Sequence, residues 1–152
     1  MESFQPLIEA ATGVDLSDAG LAEAELEGRF PADGPRALRL NAELVRLLEE
    51  GKIAERGEPP VRWGRVAKPS AASAGFSIDV VHMNGPGPRH RHPRGEIDYC
   101  VPLEGRPSFD QRSPGWVVLP PGSVHVPTVS GGVMLIVYLL PGGAMEFLDQ
   151  EA

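Results

Sequence analysis

Residues 87–100 read G-P-R-H-R-H-P-R-G-E-I-D-Y-C, and residues 115–125 read G-W-V-V-L-P-P-G-S-V-H. His90 and His92 are two positions apart, so their side chains point to the same side of an extended strand. Glu96 follows a Pro-Arg-Gly turn that can return it to the same cavity, and His125 follows a Pro-Pro-Gly turn between two strands. The pattern predicts a pocket of three imidazoles and one carboxylate.

Such a pocket suits a divalent transition metal. Neutral imidazole nitrogens bind first-row metals such as Fe, Mn, Zn, Ni or Co, and a single carboxylate lowers the net charge while leaving coordination positions open. The alternative is that these are ordinary surface histidines in a proline-rich loop. We favour the metal site because His-x-His before a glutamate, with a later Pro-x-Gly-x-x-His, is a specific combination. The identity of the metal stays open.

The two segments resemble the two sequence motifs of the cupin superfamily. Its Gly-rich lead into His-x-His-x-x-x-Glu is similar to residues 85–96, and its Gly followed by Pro-x-Gly-x-x-His is similar to residues 115–125. The resemblance implies a mainly β fold, a cupin-type antiparallel β-barrel of the double-stranded β-helix or jelly-roll kind. It also implies that the metal ligands are His90, His92, Glu96 and His125.

A narrower resemblance covers nearly the whole chain. The runs R-H-R-H-P-R-G-E-I-D, P-G-W-V-V-L-P-P-G-S-V-H-V-P-T-V-S-G-G and L-P-G-G-A-M-E-F, behind a helical N-terminal segment, are similar to the small cupins of the 4-hydroxylaminobenzoate lyase family. This resemblance implies conversion of 4-hydroxylaminobenzoate to 3,4-dihydroxybenzoate with release of ammonia.

Composition bounds the class of protein. The chain has 152 residues, 41% of them hydrophobic and 23% charged, so we expect one domain, residues 1–152, with a sizeable core. No apolar run approaches the length of a membrane span, and the net charge of -7 argues against a nucleic-acid partner. The N-terminus lacks the pattern of a secretory signal, and the single cysteine, Cys100, is compatible with a reducing compartment, so we expect a cytoplasmic protein.

The chain divides into helical and strand-like parts near residue 58. Apolar spacing and cap residues predict a helix ending at Gly13, a second after Asp18 and a third from Pro35 to Gly51, which together form an N-terminal segment (1–57) that covers the barrel or a dimer partner. Residues 58–152 then predict the barrel, with short strands separated by Gly and Pro. We predict strands at 61–68, 76–83, 95–103, 115–119, 124–129 and 133–140. We also expect a homodimer.

Several further residues are candidates for chemistry. Alternation along the strand after Gly95 puts Asp98 on the same side as Glu96, where it acts as a catalytic acid or base or orients a ligand histidine. Arginines near the predicted site, in an otherwise acidic chain, favour a small carboxylate substrate. The substrate-binding candidates are Arg62, Arg65 and Arg91 for the carboxylate, and Tyr99 and Trp116 for the aromatic ring.

These features predict a metal-dependent cupin enzyme acting on an aromatic carboxylic acid, with the lyase reaction as the activity that the resemblance implies. The first alternative is an Fe(II) cupin dioxygenase with the same ligands, which would consume oxygen. The second alternative is a non-catalytic small-molecule-binding cupin, which would bind metal and ligand without forming product.

Overall fold

A computed structural model describes residues 2–148. The described chain begins with helices, whose bounds are Glu2–Phe4 (one turn of 3-10 helix), Gln5–Ala11 (α1), Ala19–Arg29 (α2) and Pro35–Glu49 (α3). The second starts where Asp18 accepts a hydrogen bond from the Leu21 N–H at 3.1 Å, and the third starts with a proline, as predicted. None of the helices within residues 2–148 is both long and apolar enough to cross a membrane.

Nine strands follow in the described part of the chain and form two antiparallel sheets. A six-stranded sheet has the order β1-β2-β3-β8-β5-β6, and a three-stranded sheet has the order β7-β4-β9. The bounds are Arg56–Glu58 (β1), Val61–Ala67 (β2), Phe76–Met83 (β3), His90–His92 (β4), Glu96–Phe109 (β5), Gly115–Leu119 (β6), Ser123–His125 (β7), Val129–Pro141 (β8) and Glu146–Phe147 (β9).

Strands β3, β5, β6 and β8 of the six-stranded sheet carry buried side chains on both faces, and strand alternation sorts these side chains between the faces. One face packs under the helices and forms a single core with their apolar side chains, among them Leu26, Leu44, Tyr99 and Leu135. The other face carries a second apolar cluster that includes Met83, Phe109, Val117, Ile136 and Tyr138. Glu96 and Asp98 alternate with the helix-facing residues of β5 and therefore share this second face.

Helix α2 also protects one edge of the six-stranded sheet. The Val118 N–H of the edge strand β6 donates a hydrogen bond to Glu23 at 2.9 Å, and the indole N–H of Trp116 donates to the Phe30 carbonyl oxygen at 2.8 Å. Unpaired backbone groups of an edge strand can pair with a strand of another chain. Helix α2 covers this edge of the sheet, at β6, and so hinders such pairing there.

The predicted mainly β fold of cupin type, preceded by helices, is confirmed, with three corrections of detail. Predicted strand 124–129 is wrong, because the chain leaves the small sheet after His125 and enters the large one at Val129, with Pro127 lacking an N–H between them. Strand β5 continues past Leu103 to Phe109 through two register shifts. Within residues 2–148 the two sheets are not joined by continuous pairing into a closed barrel.

Candidate metal centre and its cavity

Two tight turns bring the predicted ligands together. After β4, the Gly95 N–H donates to the His92 carbonyl oxygen at 3.2 Å, and the chain turns into β5. Gly95 has φ +86°, and a Cβ there would lie 2.9 Å from the Leu119 carbonyl oxygen, so only glycine fits. After β6, the Gly122 N–H donates to the same His92 oxygen at 2.7 Å, and β7 then pairs with β4 so that His90 lies opposite His125.

The result is a triangle of imidazole nitrogens, which we call the histidine triangle: His90, His92 and His125. Their Nε2 atoms lie 2.9 Å (His90 to His92), 3.0 Å (His92 to His125) and 3.0 Å (His125 to His90) apart. His90 and His92 are buried and His125 is nearly so. The three nitrogens form a group that could hold a metal ion.

The other ring nitrogens have different partners. His90 Nδ1 lies 2.9 Å from the Pro88 carbonyl oxygen, which can only accept, so Nδ1 carries the proton and Nε2 presents a lone pair. His125 Nδ1 lies 2.5 Å from an oxygen of Asp110. His92 Nδ1 is buried with no hydrogen-bond partner in the described part of the protein.

Burial favours the neutral form of His90 and His92. Desolvation lowers the pKa of His90 from its usual value, and it lowers the pKa of His92 to about 3, with further lowering from the two neighbouring histidines. Because neutral imidazole is the form that binds metals, these histidines are ready to act as ligands at neutral pH.

A pair of buried carboxyl groups lies beside the triangle. Glu96 Oε2 is 3.4 Å from His92 Nε2, and both Glu96 and Asp98 are completely buried. Among the described residues, neither carboxyl has a hydrogen-bond donor. Burial raises the pKa of Glu96 to about 7, and burial together with the neighbouring Glu96 raises the pKa of Asp98 well above its usual value. Buried carboxyl oxygens without hydrogen-bond partners are costly, and a cation bound beside them would compensate for that cost.

A cavity of about 640 Å³ reaches the triangle at His90. Its wall is mostly apolar and aromatic, with one charged pair, as is typical of a site for a small organic ligand. Residues of the wall include Trp63, Arg65, Asp79, Val81, Tyr138 and Phe147. Arg65 pairs with Asp79 through Nε at 2.9 Å and is 44% exposed.

The structure brings Arg65 to this cavity but not the other two candidate arginines. Arg62 lies opposite His82 in the strand register, and alternation puts it on the other face of β2. Arg91 points away from its neighbours His90 and His92 along β4 and forms an exposed ion pair with Glu146 at 2.6 Å.

Tyr99 and Trp116 also lie away from the triangle, on the helix-facing side of the large sheet. The Tyr99 hydroxyl donates to Asn41 Oδ1 at 2.7 Å, and both aromatic rings line a separate cavity of about 890 Å³ next to α2 and α3. That cavity is the larger of the two, but among described residues its wall includes no histidine, so the smaller one is the candidate site.

Comparison with known proteins identifies the family of this chain. The sequence model of the family described as PnbB, 4-hydroxylaminobenzoate lyase, matches residues 6–147. The chain belongs to this family. The matched region contains all four predicted metal ligands and both sheets of this family member.

Individual relatives and structures give the range of similarity. The chain is 35% identical over 97 residues to a 4-hydroxylaminobenzoate lyase of Nocardioides sp. (strain LMS-CY), covering 59% of this chain and 57% of the relative. It is 27% identical over 143 residues to a 4-hydroxylaminobenzoate lyase of Pseudomonas putida, covering 82% of this chain and 81% of the relative.

Among solved structures, an RmlC-like cupin protein from Ralstonia eutropha JMP134 is 18% identical with a TM-score of 0.46, covering 61% of this chain and 62% of that structure. Oxalate oxidase bound to glycolate is 20% identical with a TM-score of 0.43, covering 60% and 57%.

Sequence reasoning missed three residues of the site in this lyase family member. Trp63 and Phe147 line the cavity from strands remote in sequence, and no local pattern connects either of them to the histidines. Asp110, the partner of His125, is 15 positions before it in the sequence. In the sequence, only the turn-like run Phe-Asp-Gln-Arg (109–112) indicated that Asp110 lies at the tip of a hairpin.

Proposed function

We propose that this protein is a metal-dependent lyase that converts 4-hydroxylaminobenzoate to 3,4-dihydroxybenzoate and ammonia. The observation that carries the proposal is the meeting of three imidazole nitrogens, within 3.0 Å of one another, at the end of an apolar cavity. The membership of the chain in the family and the names of its relatives support the choice of reaction.

The reaction balances without an external oxidant. One water enters, the nitrogen of the hydroxylamino group leaves as ammonia, and the ring gains two hydroxyls. Their oxygens are balanced by that water and by the oxygen of the hydroxylamino group, so no electrons are exchanged with another molecule. A nicotinamide or flavin is therefore not required, and turnover should proceed without oxygen.

The histidine triangle, with Glu96 beside it, would hold the metal. When bound there, a divalent metal would supply Lewis-acid chemistry and lower the pKa of water at the site. Asp98 is buried on the same face as Glu96, and burial raises the pKa of its carboxyl above the usual value, which favours a role as the acid that donates a proton to the departing nitrogen.

Arg65 is the residue that we expect to bind the substrate carboxylate. Its guanidinium lies on the cavity wall, and Asp79 holds it through two contacts, at 2.9 and 3.4 Å, that leave other N–H donors free. Trp63 and Phe147 flank the same space and offer flat surfaces to an aromatic ring. The cavity therefore suits a ring with a carboxylate at one end and the reacting group near His90.

The test combines metal analysis with an anaerobic assay. Purified protein should contain a divalent transition metal by elemental analysis, and it should release ammonia from 4-hydroxylaminobenzoate under strict anaerobiosis. Turnover only in the presence of oxygen would instead support the dioxygenase, and stoichiometric binding without product would support a binding protein.

Variants at two arginines test the carboxylate site. Arg65→Ala should lower kcat/KM for 4-hydroxylaminobenzoate by about 5- to 30-fold, corresponding to about 1 to 2 kcal/mol for a charged contact that is partly screened by water. The same variant should leave turnover of phenylhydroxylamine, which lacks the carboxylate, unchanged. Arg91→Ala is the matched control, because Arg91 is similarly exposed and paired but lies outside the cavity. Equal losses for both substrates would contradict the assignment.

A further inference from the structure

Asp110 contacts His125 from the turn that joins β5 and β6. One carboxylate oxygen lies 2.5 Å from His125 Nδ1, and the other accepts the Thr128 N–H at 2.8 Å. The Asp110 N–H in turn donates to the Thr128 carbonyl oxygen at 2.9 Å. Three contacts therefore hold Asp110 in place, two through its carboxylate oxygens and one through its backbone N–H.

The turn itself holds the carboxylate in place. Asp110 and Gln111 have φ angles of +49° and +67°, and the flanking Phe109 and Arg112 exchange backbone hydrogen bonds at 2.8 and 2.9 Å. This is a two-residue hairpin turn in which aspartate is among the favoured residues. The Phe109 ring is fully buried, 6.2 Å from the ring of His125, and anchors the turn against the site.

The contact determines which nitrogen of His125 is free. A carboxylate next to Nδ1 selects the tautomer with the proton on Nδ1, and the Nε2 lone pair is then left for a metal. Nε2 is the atom that lies 3.0 Å from the Nε2 atoms of His90 and His92. The Pro88 carbonyl oxygen selects the same tautomer at His90, so two of the three imidazoles have their orientation fixed by a partner.

We propose that Asp110 is a positioning residue for the metal site: it holds His125 in the Nδ1-protonated tautomer with Nε2 aimed into the histidine triangle. This inference rests on the metal site of the proposed function but not on the identity of the substrate. Outer partners of this kind raise the basicity of a ligand histidine and orient its ring. Their removal typically weakens metal binding by about 10- to 100-fold.

The first measurement needs no variant. In ¹⁵N NMR of the metal-free wild type, recorded at a pH where the His125 ring carries a single proton, that proton should be on Nδ1. A singly protonated ring with its proton on Nε2 would overturn the proposal, whatever the protein catalyses. This readout is independent of lyase activity, so the failure of the proposed reaction and the failure of the Asp110 assignment are distinguishable.

The second measurement is Zn²⁺ affinity, by competition with a chromophoric chelator. Asp110→Asn should raise the Kd by about 10- to 100-fold, because asparagine has one carbonyl oxygen and cannot accept from both His125 and Thr128. Gln111→Asn is the matched control: it changes the same turn at an exposed position and should bind Zn²⁺ as the wild type does. An unchanged Kd in Asp110→Asn, or an equal rise in both variants, would overturn the proposal.

Discussion

Replacing Glu96 with glutamine should change how the stability of the metal-free protein depends on pH. Burial raises the pKa of Glu96 from 4.5 to about 7, so between these values the folded protein keeps a proton that the unfolded chain has lost. The contribution of Glu96 to the free energy of unfolding therefore falls as pH rises through this window, and this contribution is constant below the window and above it. At about 1.4 kcal/mol for each pH unit, the wild type should lose about 3 kcal/mol from this group.

Glutamine remains neutral at every pH, so Glu96→Gln lacks this loss. The difference in free energy of unfolding between variant and wild type should therefore shift by about 3 kcal/mol in favour of the variant between pH 4.5 and pH 8. Urea unfolding of chelator-treated protein, followed by tryptophan fluorescence, measures it. Glu9→Gln, at an exposed position of α1, is the control and should reproduce the wild-type curve. A difference that is the same at every pH would refute the reasoning, since Glu96 would then not be buried beside the histidines.

Three further predictions concern single side chains. Tyr99→Phe should cost about 1 kcal/mol of stability in urea unfolding, because Asn41 loses its hydrogen-bond partner, while kcat/KM stays at the wild-type value. Asp98→Asn should retain metal by elemental analysis but lower metal-saturated turnover by about 10²- to 10⁴-fold; wild-type turnover would exclude proton transfer by Asp98. His92→Ala should remain folded by circular dichroism and lose most of its metal, and full metal occupancy would contradict ligation by His92.

The sequence could predict the part of the metal centre whose geometry is local. Two histidines at alternate positions of a strand share a side, and a turn of recognisable composition returns Glu96 to that side. The contact between His92 and Glu96 spans only four residues along the chain. His125 is 33 positions after His92, and its approach depends on the pairing of β7 with β4, which its spacing alone does not determine.

The cavity wall could not be predicted in the same way, because it depends on the order of strands in the sheet. Asp79 and Tyr138 lie side by side on this wall only because β3 pairs with β8. Alternation did separate Tyr99 from Glu96, and the structure accordingly puts Tyr99 under the helices, away from the cavity. The choice between Arg62 and Arg65 depended on which face of β2 lies against the cavity. The sequence of β2, V-R-W-G-R-V-A, has no regular alternation of apolar and polar residues that would identify this face.

The sheet that carries the histidines is much smaller than the sheet behind it. Strand β4 pairs through only three residues with β7 and two with β9, whereas β5 and β8 pair along most of their length. Short ladders of this kind open in local fluctuations that leave the larger folding unit intact, and their amide hydrogens exchange early. An ion bound by histidines of both β4 and β7 would make this local opening rarer. Such an ion would bind only the closed form and would therefore stabilise that form by mass action. Entry and release of such an ion would then depend on the local opening of these three short strands and would not require unfolding of the protein.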